Sequence, residues 1–308
     1  MMISEDVEEE LFRLGASSDT IKKLQEFDDM VHEPMSGNLD GSIRTKALRC
    51  MFKMLQANGL AGENTWFKAA LLLDRLTASS FFRLEQLPLT CVCLTKLVVK
   101  CISSVPKMAH EEDPSMILIK DFATWLDSTQ SSATSAVSLE ALRLHEEKVL
   151  GALDWQVEVA CTEKWCLVYF TRFGLVGREF QAPVRQLHAQ ALLLARAVMM
   201  CFPMLSHKKL AAGLFCLSFV YSGLLPMASL MPSDMNAAEW SALLAATGNV
   251  PQCRLPQAMT LRLMHMICLA MKEGWEDIRA WSRQTVETLG ETFRQVRMFH
   301  DGQGPWNA

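Results

Sequence analysis

Signatures of catalysis and metal binding are missing from this 308-residue sequence. It has no HExxH, no glycine-rich phosphate loop, no Ser/His/Asp order and no helix motif carrying a carboxylate pair, so nothing points to a small-molecule enzyme. None of its ten cysteines forms a CxxC pair, and only Cys91 and Cys93 lie close together, which leaves no zinc spacing. The seven histidines are scattered, with no two placed on one helical face. The cysteines therefore read as small buried hydrophobes, and no metal or cofactor is expected. Excess positive charge is lacking too. With 30 Lys and Arg against 34 Asp and Glu, the net charge is -4, a balance that gives no electrostatic footprint for a nucleic-acid backbone. No direct nucleic-acid partner is expected. The opening MMISEDVEEE is acidic where a secretory leader is basic and then apolar, so the expected compartment is intracellular and reducing.

The run from Leu210 to Ser233 is free of charge and long enough to cross a bilayer. Gly213, Ser218, Ser222, Gly223, Pro226 and Pro232 interrupt it, however, and basic and aromatic belts do not flank it on both sides. A buried central helix ending near Pro226, and no membrane partner, is the expectation.

Half of the residues are hydrophobic, enough to offset the entropy of ordering a real core. Leu, Ala and Met dominate, strict alternation is hard to find and no hairpin signal occurs, so the expected fold class is all-α. Helices are expected at Glu5 to Leu14, Asp19 to Met30, Gly41 to Asn58, Asn64 to Ala78, Glu85 to Ser103, Met116 to Leu126 and Leu139 to Ala152. A second series is expected at Thr162 to Phe173, Ala182 to Phe202, His207 to Leu225, Ala237 to Thr247, Pro256 to Met271 and Glu276 to Phe299. Asp19 and Asn64 are candidate caps, and Pro256 suits a first helical turn. The Ser/Thr-rich stretch between Asp127 and Ser138 reads as a surface loop, with a phosphorylated regulatory loop as the alternative.

The chain divides near Trp155 to Thr162. TWFKAALLLDRL in the first half and KKLAAGLFCLSFVY in the second are both highly apolar helices in similar places, which suggests a five-helix module present twice. The expected organisation is an N-terminal helical extension (1–40), a first module (41–158), a second (159–273) and a C-terminal helix and tail (274–308). In the last helix, Trp281, Val286, Leu289, Phe293 and Val296 share a face that packs on the second module. The acidic N-terminal helix EDVEEELFRL reads as a solvated cap, with packing on the first module as the alternative.

Polar residues embedded in apolar runs carry the most information, because a buried charge is costly unless paired. Asp74 follows WFKAALLL, and Arg44 opens the helix before it, so a salt bridge between them is expected. Lys100 ends LTKLVV and Glu146 precedes KVLGALDW. If they converge, they offer a donor and an acceptor to the backbone of an incoming segment, whereas an ordinary surface ion pair is the plain alternative.

These residues resemble the cyclins, whose box is a five-helix module found twice in tandem. The five characteristic positions Arg, Asp, Leu, Lys and Glu appear as Arg44, Asp74, Leu89, Lys100 and Glu146. Thr65, the Asp74-Arg75 pair, Lys100 and Pro106 fall at cyclin-like spacings, and Val149-Leu150 before LDW matches the fifth helix. FPMLSHKKLAAGLFCLSFVY is similar to the corresponding stretch of the second box, and the resemblance covers roughly Gly41 to Lys272. It implies tandem cyclin boxes with flanking helices and a regulatory subunit of a cyclin-dependent protein kinase, itself no enzyme, present in nucleus and cytoplasm. Lys100 and Glu146 would bond kinase backbone near its movable regulatory helix, Arg44 and Asp74 would form the internal bridge, and Leu89 would belong to the box core.

Departures accompany the resemblance. Cys101, Ile102 and Ser103 stand where cyclins carry an aromatic and two acidic residues, which leaves the choice of kinase open. The groove through which cyclins recruit substrate or inhibitor peptides maps to Ile43, Ala47, Cys50 and Leu87, with Lys53 replacing an acid. A shallow groove that recruits basic peptides poorly is expected. The alternative function is a kinase-independent cyclin-fold protein of the transcription-initiation type, against which the acidic balance and the lack of a zinc ribbon argue.

Overall fold

A computed structural model describes residues 5–30, 39–57, 65–79, 81–102, 139–180, 183–201 and 206–300. Among the described residues there are twelve α-helices and no strand. They are α1 (Glu5–Arg13), α2 (Ser18–Met30), α3 (Gly41–Ala57), α4 (Thr65–Ala78), α5 (Leu87–Ile102), α6 (Leu139–Ala152), α7 (Thr162–Val176), α8 (Val184–Cys201), α9 (His207–Tyr221), α10 (Ala237–Thr247), α11 (Gln257–Met271) and α12 (Trp275–His300). The helix expected at Met116 to Leu126, the Asp127 to Ser138 loop, the Asn64 cap, Pro106 and Ser103 lie outside the described residues.

The chain separates into two compact units, with breaks between α2 and α3 and after Val159. One holds α3 to α6. Asp40 caps α3, its carboxylate accepting from the backbone N–H groups of Ser42 at 2.8 Å and Ile43 at 3.4 Å. Every described side chain of α4 except Arg75 and Ala78 is buried, as an all-round apolar helix requires. It packs on α3 and α5, and α5 packs in turn on α6. Polar ties fix these neighbours: the Trp66 indole donates to the Leu48 carbonyl at 3.0 Å, and Thr90 and His145 share a 3.0 Å hydrogen bond. Leu89, expected in the core, is half-buried because it stands in the first turn of α5.

The other unit comprises α1, α2 and α7 to α12. Its central helix is α9, packed on α7, α8 and α12. Within the uncharged run α9 ends at Tyr221, where Ser222 caps the helix and Gly223 takes a left-handed φ of 71°. Among the described residues no helix is long and apolar enough to cross a membrane. Asn236 and Glu239 start α10 with a reciprocal capping box. Helix α9 approaches α12 closely: a Cβ on Gly213 would lie 2.0 Å from Thr285 Oγ1 and 2.6 Å from Thr285 Cβ.

Three expectations are corrected in this unit. Helix α1 is no solvated cap: Leu11 is fully buried, and the helix packs on α7. The fully buried Arg172 of α7 holds this arrangement, donating from Nε to the Ala270 carbonyl (2.8 Å) and from Nη1 to the Ala16 carbonyl (3.0 Å), with Glu8 3.7 Å away. Ser17, not Asp19, caps α2, its hydroxyl accepting from the Thr20 N–H. The buried stripe of α12 runs through Ile278, Ser282, Thr285, Val286, Leu289 and Thr292, while Trp281 and Phe293 are half-buried and the Val296 side chain is outside the described set.

Candidate functional site

The α3–α6 unit brings both expected charge pairs together. Arg44 Nε lies 2.6 Å from Asp74 Oδ1 and Nη2 lies 2.7 Å from Oδ2, a two-point contact with both side chains buried. It ties α3 to α4 and is closed to any partner. Lys100 Nζ lies 2.7 Å from Glu146 Oε1, joining the last turn of α5 to the middle of α6.

The second pair has a third member that the sequence reading did not single out. Lys96 stands one turn before Lys100, and its Nζ is 2.9 Å from Glu146 Oε2. Burial pushes the Glu146 carboxyl up, but hydrogen bonds from Lys100 and Lys96 outweigh it and hold the group below the ordinary carboxylate range. Glu146 is an ionised acceptor at neutral pH. Around it opens a cleft of about 370 Å³, lined by Lys96, Lys100, Arg143, Glu146, Glu147, Leu150 and Trp155.

Trp155 is the cleft's apolar wall and is 67% exposed, unusual for the largest hydrophobic side chain. Its backbone accounts for the position. Helix α6 ends in a turn where Asp154 (φ 51°) and Trp155 (φ 60°) are both left-handed, and the Trp155 N–H donates back to the Leu150 carbonyl at 2.8 Å. Neither residue is glycine, so each conformation costs on the order of 1 kcal/mol or more. Helix α4 restrains the turn from the other side. Arg75 donates to the Gln156 carbonyl at 3.0 Å, and Lys68 contacts both Glu158 oxygens at 2.8 Å. Two consecutive left-handed residues, one carrying an exposed indole beside the cleft, make this turn a constrained element.

The four residues to which the peptide groove maps differ in exposure. Ala47 and Cys50 are buried, and Ile43 and Leu87 are half-buried. Burial also pushes the Cys50 thiol up to about 12, so it is not an exposed nucleophile. The outer face of α3 presents Lys46, Arg49 and Lys53, a cationic surface that repels basic segments.

Comparison with models of known protein families and with curated proteins found no match.

Proposed function

We propose that this chain is a cyclin-like regulatory subunit that binds and activates a cyclin-dependent protein kinase and performs no chemistry of its own. The observation that carries the reading is the Lys100–Glu146 pair at 2.7 Å, set in a cleft walled by the exposed Trp155. The segment leading into a kinase helix presents backbone N–H and C=O groups side by side, which a carboxylate and an ammonium can satisfy together. Trp155 and Leu150 supply the apolar anchor that such an interface needs at its centre. In this reading the two units correspond to tandem cyclin boxes, and docking favours the active placement of the kinase's regulatory helix, a population shift driven by differential contact with one state. The cationic outer face of α3 fits a subunit that does not recruit basic peptides through that surface.

The test is association. The tagged chain, purified from its own cells, is expected to retain a cyclin-dependent kinase and to phosphorylate a generic substrate. Lys100→Ala combined with Glu146→Ala is expected to remove both. Unaltered association in that double variant would refute the docking assignment.

A further inference from the structure

Glu146 is held at both oxygens by lysines of unequal exposure. The Lys96 side chain is 9% exposed, Lys100 is 55% exposed and the carboxylate between them is 12% exposed. The lysines are one turn apart on α5, so they reach Glu146 from the same side, Lys96 at the floor of the cleft and Lys100 at its mouth. An ammonium as buried as Lys96 cannot give up its counter-charge without a large desolvation cost. Lys100 is in the opposite situation: water hydrates its head group, and exposed pairs of this kind exchange readily. The other charged groups lining the cleft are Arg143 and Glu147 on α6, and the carboxylate also acts electrostatically on the Cys93 thiol of α5.

We infer that Lys96 is a positioning residue, anchoring Glu146 through Oε2 so that Lys100 can leave Oε1 and both freed groups can bond the backbone of an incoming segment. This deepens the kinase-docking reading and, for its partner, rests on it. The two lysines divide the work. Lys96 keeps the acceptor in place, and Lys100 is the exchangeable donor. Once Lys100 turns outward, Glu146 offers the vacated Oε1 to a backbone N–H while the ammonium takes a carbonyl from the same incoming segment, so neither protein group is left unpaired. With a single lysine, that lysine could not leave without stranding the half-buried carboxylate.

The decisive experiment uses the isolated full chain. The Glu146 side-chain carboxyl is followed by carbon NMR during a pH titration, with its signal assigned through Glu146→Gln. Lys96→Met and Lys100→Met are each expected to raise its titration midpoint, and Lys96→Arg is expected to keep it near the native value. Thermal melts of the same variants establish that they are folded, and Lys96→Arg serves if Lys96→Met is not. An unshifted midpoint in Lys96→Met overturns the anchoring role. With the co-purified kinase, Lys96→Met is expected to weaken association about tenfold at pH 7 and to shift its acidic limit upward, with Lys96→Arg restoring both. If the Lys100 and Glu146 changes abolish kinase association and Lys96→Met does not, the positioning role fails and the docking reading stands. If none of them alters it, the docking reading fails, and the titration still decides the role of Lys96.

Discussion

Asp74→Ala removes the carboxylate to which Arg44 donates from both Nε and Nη2, at 2.6 and 2.7 Å, in a site where both residues are at most 6% exposed. Breaking a buried ion pair from one side costs about 3 to 5 kcal/mol, because the remaining charge keeps its desolvation penalty and loses its compensation. For a protein of this size that corresponds to a fall in melting temperature on the order of 10 °C. Circular dichroism at 222 nm, followed through thermal and urea unfolding, reads the change, and a shifted urea midpoint at constant slope assigns it to stability. Replacing both partners with apolar residues of similar volume, Arg44→Met with Asp74→Leu, is expected to lie within about 1 to 2 kcal/mol of the native chain, since no charge is then left behind. An unchanged melting temperature in Asp74→Ala would refute the bridge. A double variant as unstable as the single one would show that the loss comes from packing instead.

Other expectations concern the remaining features. Gly213→Ala is expected to cost about 1 to 3 kcal/mol by forcing α9 away from Thr285, and pairing it with Thr285→Ala is expected to recover part of that in urea unfolding; no recovery would show that the two helices do not meet there. Burial lowers the His207 imidazole to about 4, so between pH 6.5 and about 4 the unfolded chain takes up a proton there that the folded chain refuses. Stability is therefore fully present above that window and falls by up to about 3 kcal/mol as pH drops through it. His145 and His188 are lowered by burial in the same direction. The slope of melting temperature against pH should be smaller in His207→Gln, and an equal slope would remove His207 from the account. Trp155→Gly is expected to leave the melting temperature unchanged or slightly higher, by relieving a left-handed tryptophan, while it weakens kinase association. A destabilised variant would show that the indole packs on its own chain.

What could be read from the sequence follows from how each residue is used. TWFKAALLLDRL announced α4 because a helix without a polar face has nowhere to go but the interior, and Asp74 inside it demanded a cation within reach. Lys100 and Glu146 could be singled out through the cyclin resemblance, since nothing in their spacing along the chain sets them 2.7 Å apart. Lys96 was overlooked because a lysine in LTKLVVK reads as a solvated position. Only the fold shows its head group turned onto Glu146, although the four-residue spacing to Lys100 was available as a signal. The α12 stripe is legible only in part, for a different reason. Its buried positions include Thr285 and Thr292, whose hydroxyls are satisfied by carbonyls one turn back, those of Trp281 and Thr288, each at 2.8 Å. Small polar residues can then serve where Gly213 brings α9 close, so the buried stripe shares Val286 and Leu289 with the expected face but runs through Thr285 and Thr292 rather than Trp281 and Phe293. Arg172 was hidden likewise. It is fully buried and donates to two carbonyls that only the folded chain brings to it.

Kinase association of the purified chain, compared with that of the Lys100→Ala/Glu146→Ala variant, tests the central claim most directly. The account predicts a stoichiometric cyclin-dependent kinase with phosphorylating activity on the native chain, and neither partner nor activity on a variant that remains folded. A native chain that emerges well folded, alone and inactive, or a variant that keeps its kinase, would contradict it.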